Sequence, residues 1–301
     1  MFENIPGHDK WLIIEKINRG WSDDLKYFIE TIDHQKLILR TSNIQNYEVK
    51  KKEYEVIQKY AKLGFPMSLP VDFGISKPDS IVYMLLTYVD GEDLEEALPK
   101  LSEEKQYQIG REAGQILKKI HSIPIPTEEL PKTSKVAKKL AQIERYEKSL
   151  VRIKNDEKTL QYIKDNIHKI WSKNPVYQHG DFHPGNLILT KDQKIGVIDF
   201  NRWEIGDPYE EFYKLESFAT SISIPYSIGQ IDGYFDDDIP NDFWEILSIY
   251  AAHAALYSIH WAEKFGEADI LNMTQICLKS FEHFNNFETC IPNWYKKVNV
   301  Y

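Results

Sequence analysis

The stretch of sequence that decides the fold is His179-Gly180-Asp181-Phe182-His183-Pro184-Gly185-Asn186. It places a carboxylate and an amide five positions apart on a loop in which proline and glycine favour a sharp turn. Thirteen residues after Asn186 comes Asp199, within Ile198-Asp199-Phe200 at the end of an apolar segment. Three oxygen-bearing side chains therefore follow one another in the order that phosphoryl transfer requires.

Residues 187–198 predict a β-hairpin, because two apolar segments flank a polar turn at 190–194. A hairpin of this length returns Asp199 to the side of Asn186. Mg²⁺ takes hard oxygen ligands, and it is usually held by one or two protein oxygens together with phosphate oxygens. The spacing therefore predicts Asn186 and Asp199 as metal ligands and Asp181 as the carboxylate that accepts a hydroxyl proton.

Two other interpretations fit part of this stretch. A polar loop before an ordinary hairpin would need no chemistry. His179 and His183 are four residues apart, a spacing found in some zinc sites, but neither a Glu-x-x-His helix nor a cysteine ligand accompanies them. The residue types and their order favour phosphoryl transfer.

Segments 179–186 and 198–200, together with Gly206-Asp207-Pro208, resemble the signature of the aminoglycoside phosphotransferase family. These proteins are bacterial small-molecule kinases with a protein-kinase-like fold. The resemblance is strongest over residues 178–212. It implies a two-lobe α+β fold, with a small antiparallel-sheet N-terminal lobe and a mainly helical C-terminal lobe. It also implies Mg²⁺ with ATP or GTP as co-substrate, and a small hydroxylated acceptor such as an aminoglycoside-type antibiotic or a related metabolite.

Strand-like and turn-like segments alternate over residues 1–88 around one helical segment at 50–63. The resemblance implies that these residues form the nucleotide-binding lobe. The loop at 18–24 joins the first two strand-like segments. Gly20 would let the backbone approach a phosphate, and Ser22 could donate a hydroxyl or a backbone N–H. A plain hairpin loop is the other interpretation of this segment.

Arg40 closes the third strand-like segment, where a kinase-like fold places a basic residue against the phosphates. Glu53, in the following helix, is its predicted ion-pair partner, and a surface arginine and a surface glutamate are the alternative. Thr87 and Val89 lie in a segment that resembles the hinge of this fold, where backbone groups would bond the purine edge. Such main-chain contacts do not distinguish ATP from GTP.

Residues 89–301 are predicted to form a mainly helical catalytic and substrate lobe. One long amphipathic helix begins at residue 102 and ends near His121, and residues 247–262 read as a buried helix. Acidic and aromatic residues that follow the predicted metal ligands indicate a cleft that binds the acceptor. The alternative is an acidic surface over an ordinary aromatic core. The candidates for that cleft are Trp203, Glu210, Glu211, the turn at 236–238 and the helix at 257–261.

Composition is consistent with an intracellular enzyme. The chain has 301 residues and a net charge of -9, which argues against nucleic acid as the main partner. Its two cysteines do not make a disulfide framework, and no secretory signal or membrane-spanning segment is visible. The sequence therefore predicts a cytoplasmic protein, a monomer or weak dimer.

Two other classes remain open at this point, a protein kinase and a nucleotide-binding regulator without catalysis. The His-Gly-Asp start of the loop and the absence of a glycine triplet and of an Ala-Pro-Glu segment count against the first. The complete set of Asp181, Asn186 and Asp199 counts against the second.

Overall fold

The computed structural model describes residues 2–18, 24–77 and 81–296. The chain divides into two compact units. The first comprises Met1–Leu94 and Gly185–Trp203, and the second comprises Glu95–Pro184 and Glu204–Tyr301. The functional boundary expected between residues 88 and 89 stays a prediction, because compactness alone does not say what each unit does.

The strands are β1 (Trp11–Ile17), β2 (Leu25–Thr31), β3 (Lys36–Asn43), β4 (Pro70–Ser76), β5 (Ile81–Thr87), β6 (Gly91–Asp93), β7 (Val176–Gln178), β8 (Leu187–Thr190), β9 (Ile195–Val197) and β10 (Glu204–Gly206). The α-helices are α1 (Tyr47–Tyr60), α2 (Leu94–Ala97), α3 (Glu103–His121), α4 (Val136–Glu147), α5 (Glu157–Asn166), α6 (Ile224–Phe235), α7 (Phe243–Ala262) and α8 (Glu267–His283). A π-helical turn, Leu215–Ala219, precedes α6.

The first unit is built on a five-stranded antiparallel sheet with the order β1-β2-β3-β5-β4. Alternate residues of the strands, among them Ile29, Leu39 and Leu85, point to one buried face. Ile5, from the segment before β1, completes that core. The antiparallel sheet expected from the sequence is confirmed, and β4 is a strand that the sequence interpretation missed.

Helix α1 packs beside this sheet through a buried stripe of Glu53, Val56, Ile57 and Tyr60. These residues recur three or four positions apart, which places them on one side of the helix. The helix continues as a 3-10 turn, Ala61–Leu63, and stops at Gly64, whose φ of 77° suits glycine. The predicted helix at 50–63 is therefore confirmed, with a start three residues earlier.

The second unit is mainly helical, as the sequence predicted, and its closest helix contact joins α3 to α6. Glycines make this approach possible. A Cβ atom added to Gly110 or Gly114 of α3 would lie 2.2 Å from a carbonyl oxygen of α6, and one added to Gly229 or Gly233 of α6 would lie 2.2 Å from a carbonyl oxygen of α3. Backbone therefore packs directly against backbone along this pair.

Helix α7 is buried over most of its length, as the apolar segment at 247–262 predicted. Within residues 2–18, 24–77 and 81–296, no helix has both the length and the apolar character to cross a membrane. Cys277 is a buried thiol and Cys290 an exposed one, as expected for free cysteines.

Candidate active site

The hairpin predicted between the two metal-ligand candidates is present in the first unit. Strands β8 and β9 pair antiparallel with Leu187 opposite Val197. One step beyond this pair, the Asn186 carbonyl accepts a hydrogen bond of 3.1 Å from the Ile198 N–H. Asp199 follows directly, so the prediction that the hairpin returns it to the side of Asn186 is confirmed.

Asp199 has an unusual backbone conformation, and the two oxygens of its carboxylate lie in different environments. Its φ of 62° and ψ of 63° lie in the left-handed region, which costs a non-glycine residue of the order of 1–3 kcal/mol. Oδ2 accepts a hydrogen bond of 2.8 Å from Lys26 Nζ. Oδ1 is buried and has no hydrogen-bond partner within the part of the chain that the structure describes. The fold thus holds one buried carboxylate oxygen ready for a further partner.

Arg40 belongs to a four-residue ionic cluster in the first unit. Its Nη1 donates to Glu53 Oε1 and its Nη2 to Asp24 Oδ2, both at 2.5 Å. Lys50 Nζ contacts the same two carboxylates, at 2.6 Å from Asp24 and 3.1 Å from Glu53. We call this group the Arg40 cluster. The predicted pairing of Arg40 with Glu53 is confirmed, and the idea that both are surface residues is wrong, since both are buried.

Electrostatics keep the Arg40 cluster ionised despite its burial. Burial works against the charged guanidinium, but the carboxylates of Glu53, Asp24 and Asp199 outweigh it and raise the pKa of Arg40. Burial likewise works to raise the pKa of Asp24, yet the charges of Arg40 and Lys50 hold it below its ordinary value. Two cations therefore balance two carboxylates within the cluster.

Lys26 was not a sequence candidate, although it lies on the same face of the sheet as Arg40. The two residues are directly opposite each other in the β2–β3 register, so their side chains leave the sheet on one side. The contact between Lys26 and Asp199 joins residues 173 positions apart, which no local pattern could reveal. The predicted phosphate-loop residue Ser22 lies outside the described residues.

The hinge candidates lie at the end of β5. The Thr87 N–H donates to the Leu69 carbonyl at 2.9 Å, so the Thr87 N–H is already used. The Thr87 hydroxyl accepts from the Leu69 N–H at 2.8 Å. The backbone N–H and C=O of Val89 have no backbone partner in the chain as far as it is described. The Thr87 N–H is therefore not available to a purine, whereas the backbone groups of Val89 could contact one.

Asp181 lies in the second unit, and two basic side chains, Lys214 and His183, lie beside its carboxylate. Lys214 Nζ is 2.6 Å from Oδ1, and His183 Nε2 is 3.8 Å from the same oxygen. Burial works to raise the pKa of Asp181, but the hydrogen bond from His183 and the charge of Lys214 hold it well below its usual range. Phe218 contacts both of these side chains, with its ring 4.7 Å from that of His183 and 5.3 Å from Lys214 Nζ. The surroundings of Asp181 therefore favour its ionised form.

A buried carboxylate clamps the backbone of this loop. Glu211 Oε2 accepts the N–H of His179 at 2.8 Å, and Oε1 accepts the N–H of Gly180 at 2.7 Å. The Asp181 N–H donates to His179 Nδ1 at 3.2 Å, so His179 braces the loop. His121 packs in the core beside Glu211, with 3.3 Å between Nε2 and Oε2. We call Glu211 with these two backbone N–H groups the Glu211 clamp.

Asp207 anchors the backbone of the second unit. Its carboxylate accepts the N–H of Trp171 at 2.7 Å, the N–H of Tyr209 at 3.0 Å and the hydroxyl of Tyr250 at 2.9 Å. Burial raises its pKa, while these hydrogen bonds oppose the rise. The residue joins three segments of the second unit and is not available for catalysis.

The predicted acidic acceptor cleft is wrong for two of its members. Glu211 is committed to the clamp, and Glu210 is buried with its Oε1 2.6 Å from Lys139 Nζ. Both carboxylates serve the interior of the second unit, so neither can pair with an ammonium group of a ligand. The turn at 236–238 is a solvated surface turn, where Asp237 pairs with Arg111. Sequence alone did not distinguish inward from outward carboxylates.

The profile of the Phosphotransferase enzyme family (APH) matches residues 13–247. The chain therefore belongs to this family. No curated protein has a significant sequence match to it.

Solved structures with the same fold include aminoglycoside phosphotransferases. Aminoglycoside 2'-phosphotransferase-IIIa in complex with GDP is 13% identical, with a TM-score of 0.71, and the match covers 93% of this chain and 95% of that one. APH(2")-IIa in complex with gentamicin is 19% identical, with a TM-score of 0.63 and coverages of 89% and 91%. A thermostable mutant of APH(4)-Ia in a ternary complex with ADP and hygromycin B is 14% identical, with a TM-score of 0.64 and coverages of 90% and 93%. At these identities the likeness shows the fold, which is protein-kinase-like.

Proposed function

We propose that this protein transfers the γ-phosphoryl group of ATP or GTP to a hydroxyl group of a small molecule, either an aminoglycoside-type antibiotic or a related metabolite. Family membership supports nucleotide-dependent phosphoryl transfer. The observation that carries the proposal is Asp181, an ionised carboxylate on a loop whose backbone is fixed by Glu211. Such a fixed carboxylate is what a positioned proton acceptor needs.

Asp181 would orient the acceptor hydroxyl and take its proton as the phosphoryl group is transferred. Because its pKa is low, it is a weak base before the reaction begins, and its main contribution is to hold the hydroxyl oxygen in line. In a loose phosphoryl-transfer transition state the attacking hydroxyl loses its proton late, so a weak base is sufficient. Lys214 keeps the carboxylate in the ionised form that can accept a hydrogen bond.

Asn186 and Asp199 would hold Mg²⁺. The residues present fit this ion, since the buried Asp199 Oδ1 is without a partner among the described residues and both side chains offer hard oxygen donors. Bound Mg²⁺ would neutralise charge on the nucleotide phosphates. The hairpin and the left-handed backbone at Asp199 fix the carboxylate before any ligand arrives, which reduces the reorganisation that binding requires.

The nucleotide would be held by the predicted residues of the first unit. Arg40 with its partner Glu53 would position the phosphates, Ser22 would cover them, and the backbone of Thr87 and Val89 would bond the purine. The confirmed Arg40–Glu53 pair supports this assignment. The lobe boundary after residue 88, the cytoplasmic location and the monomeric or weakly dimeric state remain part of the same proposal.

The test is an acceptor screen. The purified chain is incubated with Mg²⁺ and ATP or GTP, and with single aminoglycosides, amino alcohols and sugars, while acceptor-dependent release of ADP or GDP is recorded. Asp181→Asn should bind nucleotide normally but turn over roughly 10²–10⁴-fold more slowly, as expected for loss of a general base. Near-normal turnover in this variant would remove Asp181 from the mechanism.

The metal assignment has its own test. Asp199→Ala should abolish Mg²⁺-dependent nucleotide binding, and Asn186→Ala should raise the Mg²⁺ concentration that half-saturates turnover. Asp192, in the turn between β8 and β9, provides a control, because Asp192→Ala removes an exposed carboxylate from the same hairpin. An unchanged metal dependence in both site variants would contradict the assignment.

A further inference from the structure

We infer that Lys26, on β2, is a phosphate-binding residue of this protein. It would contact the phosphate oxygens of the nucleotide directly. The inference rests on the proposed nucleotide-dependent function and adds to it a cation that the sequence motifs do not identify.

The first observation is the position of the Lys26 ammonium group. Nζ lies 2.8 Å from Oδ2 of Asp199, the proposed metal ligand. In phosphoryl-transfer enzymes the metal ion bridges phosphate oxygens of the nucleotide. A cation at hydrogen-bond distance from the metal-ligating carboxylate is therefore within reach of oxygens that belong to the same phosphates.

The second observation is that the Arg40 cluster already satisfies its own charges. Both terminal nitrogens of Arg40 donate to carboxylates, from Glu53 and Asp24, and the residue is only 5% exposed. Lys50 binds the same two carboxylates, so the cluster has no net charge. Both terminal nitrogens of Arg40 are thus already bonded to carboxylates, and of its guanidinium nitrogens only Nε lacks a partner among the described residues.

Lys26 differs from Arg40 in each of these respects. Its side chain is 14% exposed, and Asp199 is the one carboxylate with which it forms an ion pair in the described chain. An ammonium group carries three N–H donors on a flexible stem, so Lys26 can keep Asp199 on one donor and offer the others to phosphate oxygens. Since Lys26 and Arg40 are opposite each other on one face of the sheet, both cations face the same region.

The experiment compares ligands that differ only in their phosphates. Equilibrium binding of ATP and of adenosine, or of GTP and guanosine, is measured by calorimetry for the full chain and for Lys26→Met, each with Mg²⁺ and with EDTA. Removing a charge-assisted contact should weaken triphosphate binding roughly 10- to 100-fold in both conditions. Nucleoside binding should not change, and Lys26→Arg should recover part of the lost affinity because it keeps the charge.

Two further variants make the result interpretable. Lys52→Met removes the same charge from an exposed position on α1, and it should bind triphosphate like the unmodified chain. Lys26→Gln can still donate to Asp199 but has no charge, so it replaces Lys26→Met if the latter fails to fold. It should show the same loss of triphosphate affinity with unchanged nucleoside binding.

Three outcomes would overturn the inference. Unchanged triphosphate binding in the Lys26 variants would show that the lysine only supports Asp199. An equal loss of triphosphate and nucleoside binding would show a general structural role. If the unmodified chain binds neither ATP nor GTP, the proposed function fails as well, whereas the first two outcomes leave that function standing.

Discussion

Replacing the clamping carboxylate, Glu211→Gln, should damage both stability and turnover. The carboxylate accepts the backbone N–H groups of His179 and Gly180 on separate oxygens, at 2.8 and 2.7 Å. An amide has one acceptor oxygen, so one of these buried N–H groups would face an NH₂ group. An unsatisfied buried donor costs about 1–3 kcal/mol, and the free energy of unfolding should fall by about that amount. The freed loop carries Asp181, and a misplacement of about 1 Å can slow a reaction roughly 100-fold.

Urea unfolding and acceptor-dependent release of nucleoside diphosphate measure these two effects. The matched control is Glu210→Gln, the same chemical change one residue earlier. Glu210 is also buried, but it pairs with Lys139 and does not bond the catalytic loop, so this variant should lose stability and keep kcat. If folded Glu211→Gln retains the kcat of the unmodified chain, the carboxylate does not position Asp181 and the reasoning fails.

The remaining predictions concern charge and packing. Lys214→Met removes the cation that helps to depress the pKa of Asp181, so this pKa should rise. In the proposed mechanism activity needs the ionised carboxylate, so the acid side of the pH–kcat profile should move to higher pH; an unmoved profile would contradict this role. Arg40→Met leaves buried carboxylates without their main cation, and urea unfolding should reveal a loss of about 3–5 kcal/mol. A loss below about 1 kcal/mol would place the residue among ordinary surface ion pairs. Gly114→Ala would place a Cβ atom 2.2 Å from the Gln230 carbonyl oxygen. The free energy of unfolding, measured with urea, should fall by at least about 1–3 kcal/mol. An unchanged free energy of unfolding would mean that α3 and α6 separate easily.

The sequence predicted those parts of the site that are local in the chain. The positions of Asn186 and Asp199 relative to each other follow from hairpin length and strand pairing, which are short-range rules. The pairing of Arg40 with Glu53 was predicted because the kinase-like fold places a helix after the third strand. In each case the two residues are close in sequence, and the elements between them bring them together.

The parts that were missed depend on contacts between distant segments. Lys214 reaches Asp181 from 33 positions away, and Lys26 reaches Asp199 from 173 positions away. Strand β4 was missed because Pro70 and Gly74 lie within it, and both residue types usually interrupt strands.

The assignment of Glu210 and Glu211 to the acidic cleft was wrong for a physical reason. The sequence alone does not show whether the carboxylate of a given glutamate faces solvent or the protein interior. Glu210 is buried because Lys139 balances its charge, and Glu211 because two backbone donors satisfy its oxygens. Interior pairing of this kind can only be identified once the partner segments are placed.

The direct backbone contact between α3 and α6 also limits how this protein can change during evolution. Most helix pairs are separated by side chains, which allow a gradual series of compensating substitutions. Here Gly110 and Gly114 face Gly229 and Gly233 with no such layer between the helices. A single substitution at any of the four would push the two backbones apart, and no neighbouring side chain could be trimmed to make room. Homologues that adapt to new acceptors should therefore keep this helix pair as a fixed frame and vary in the segments around it.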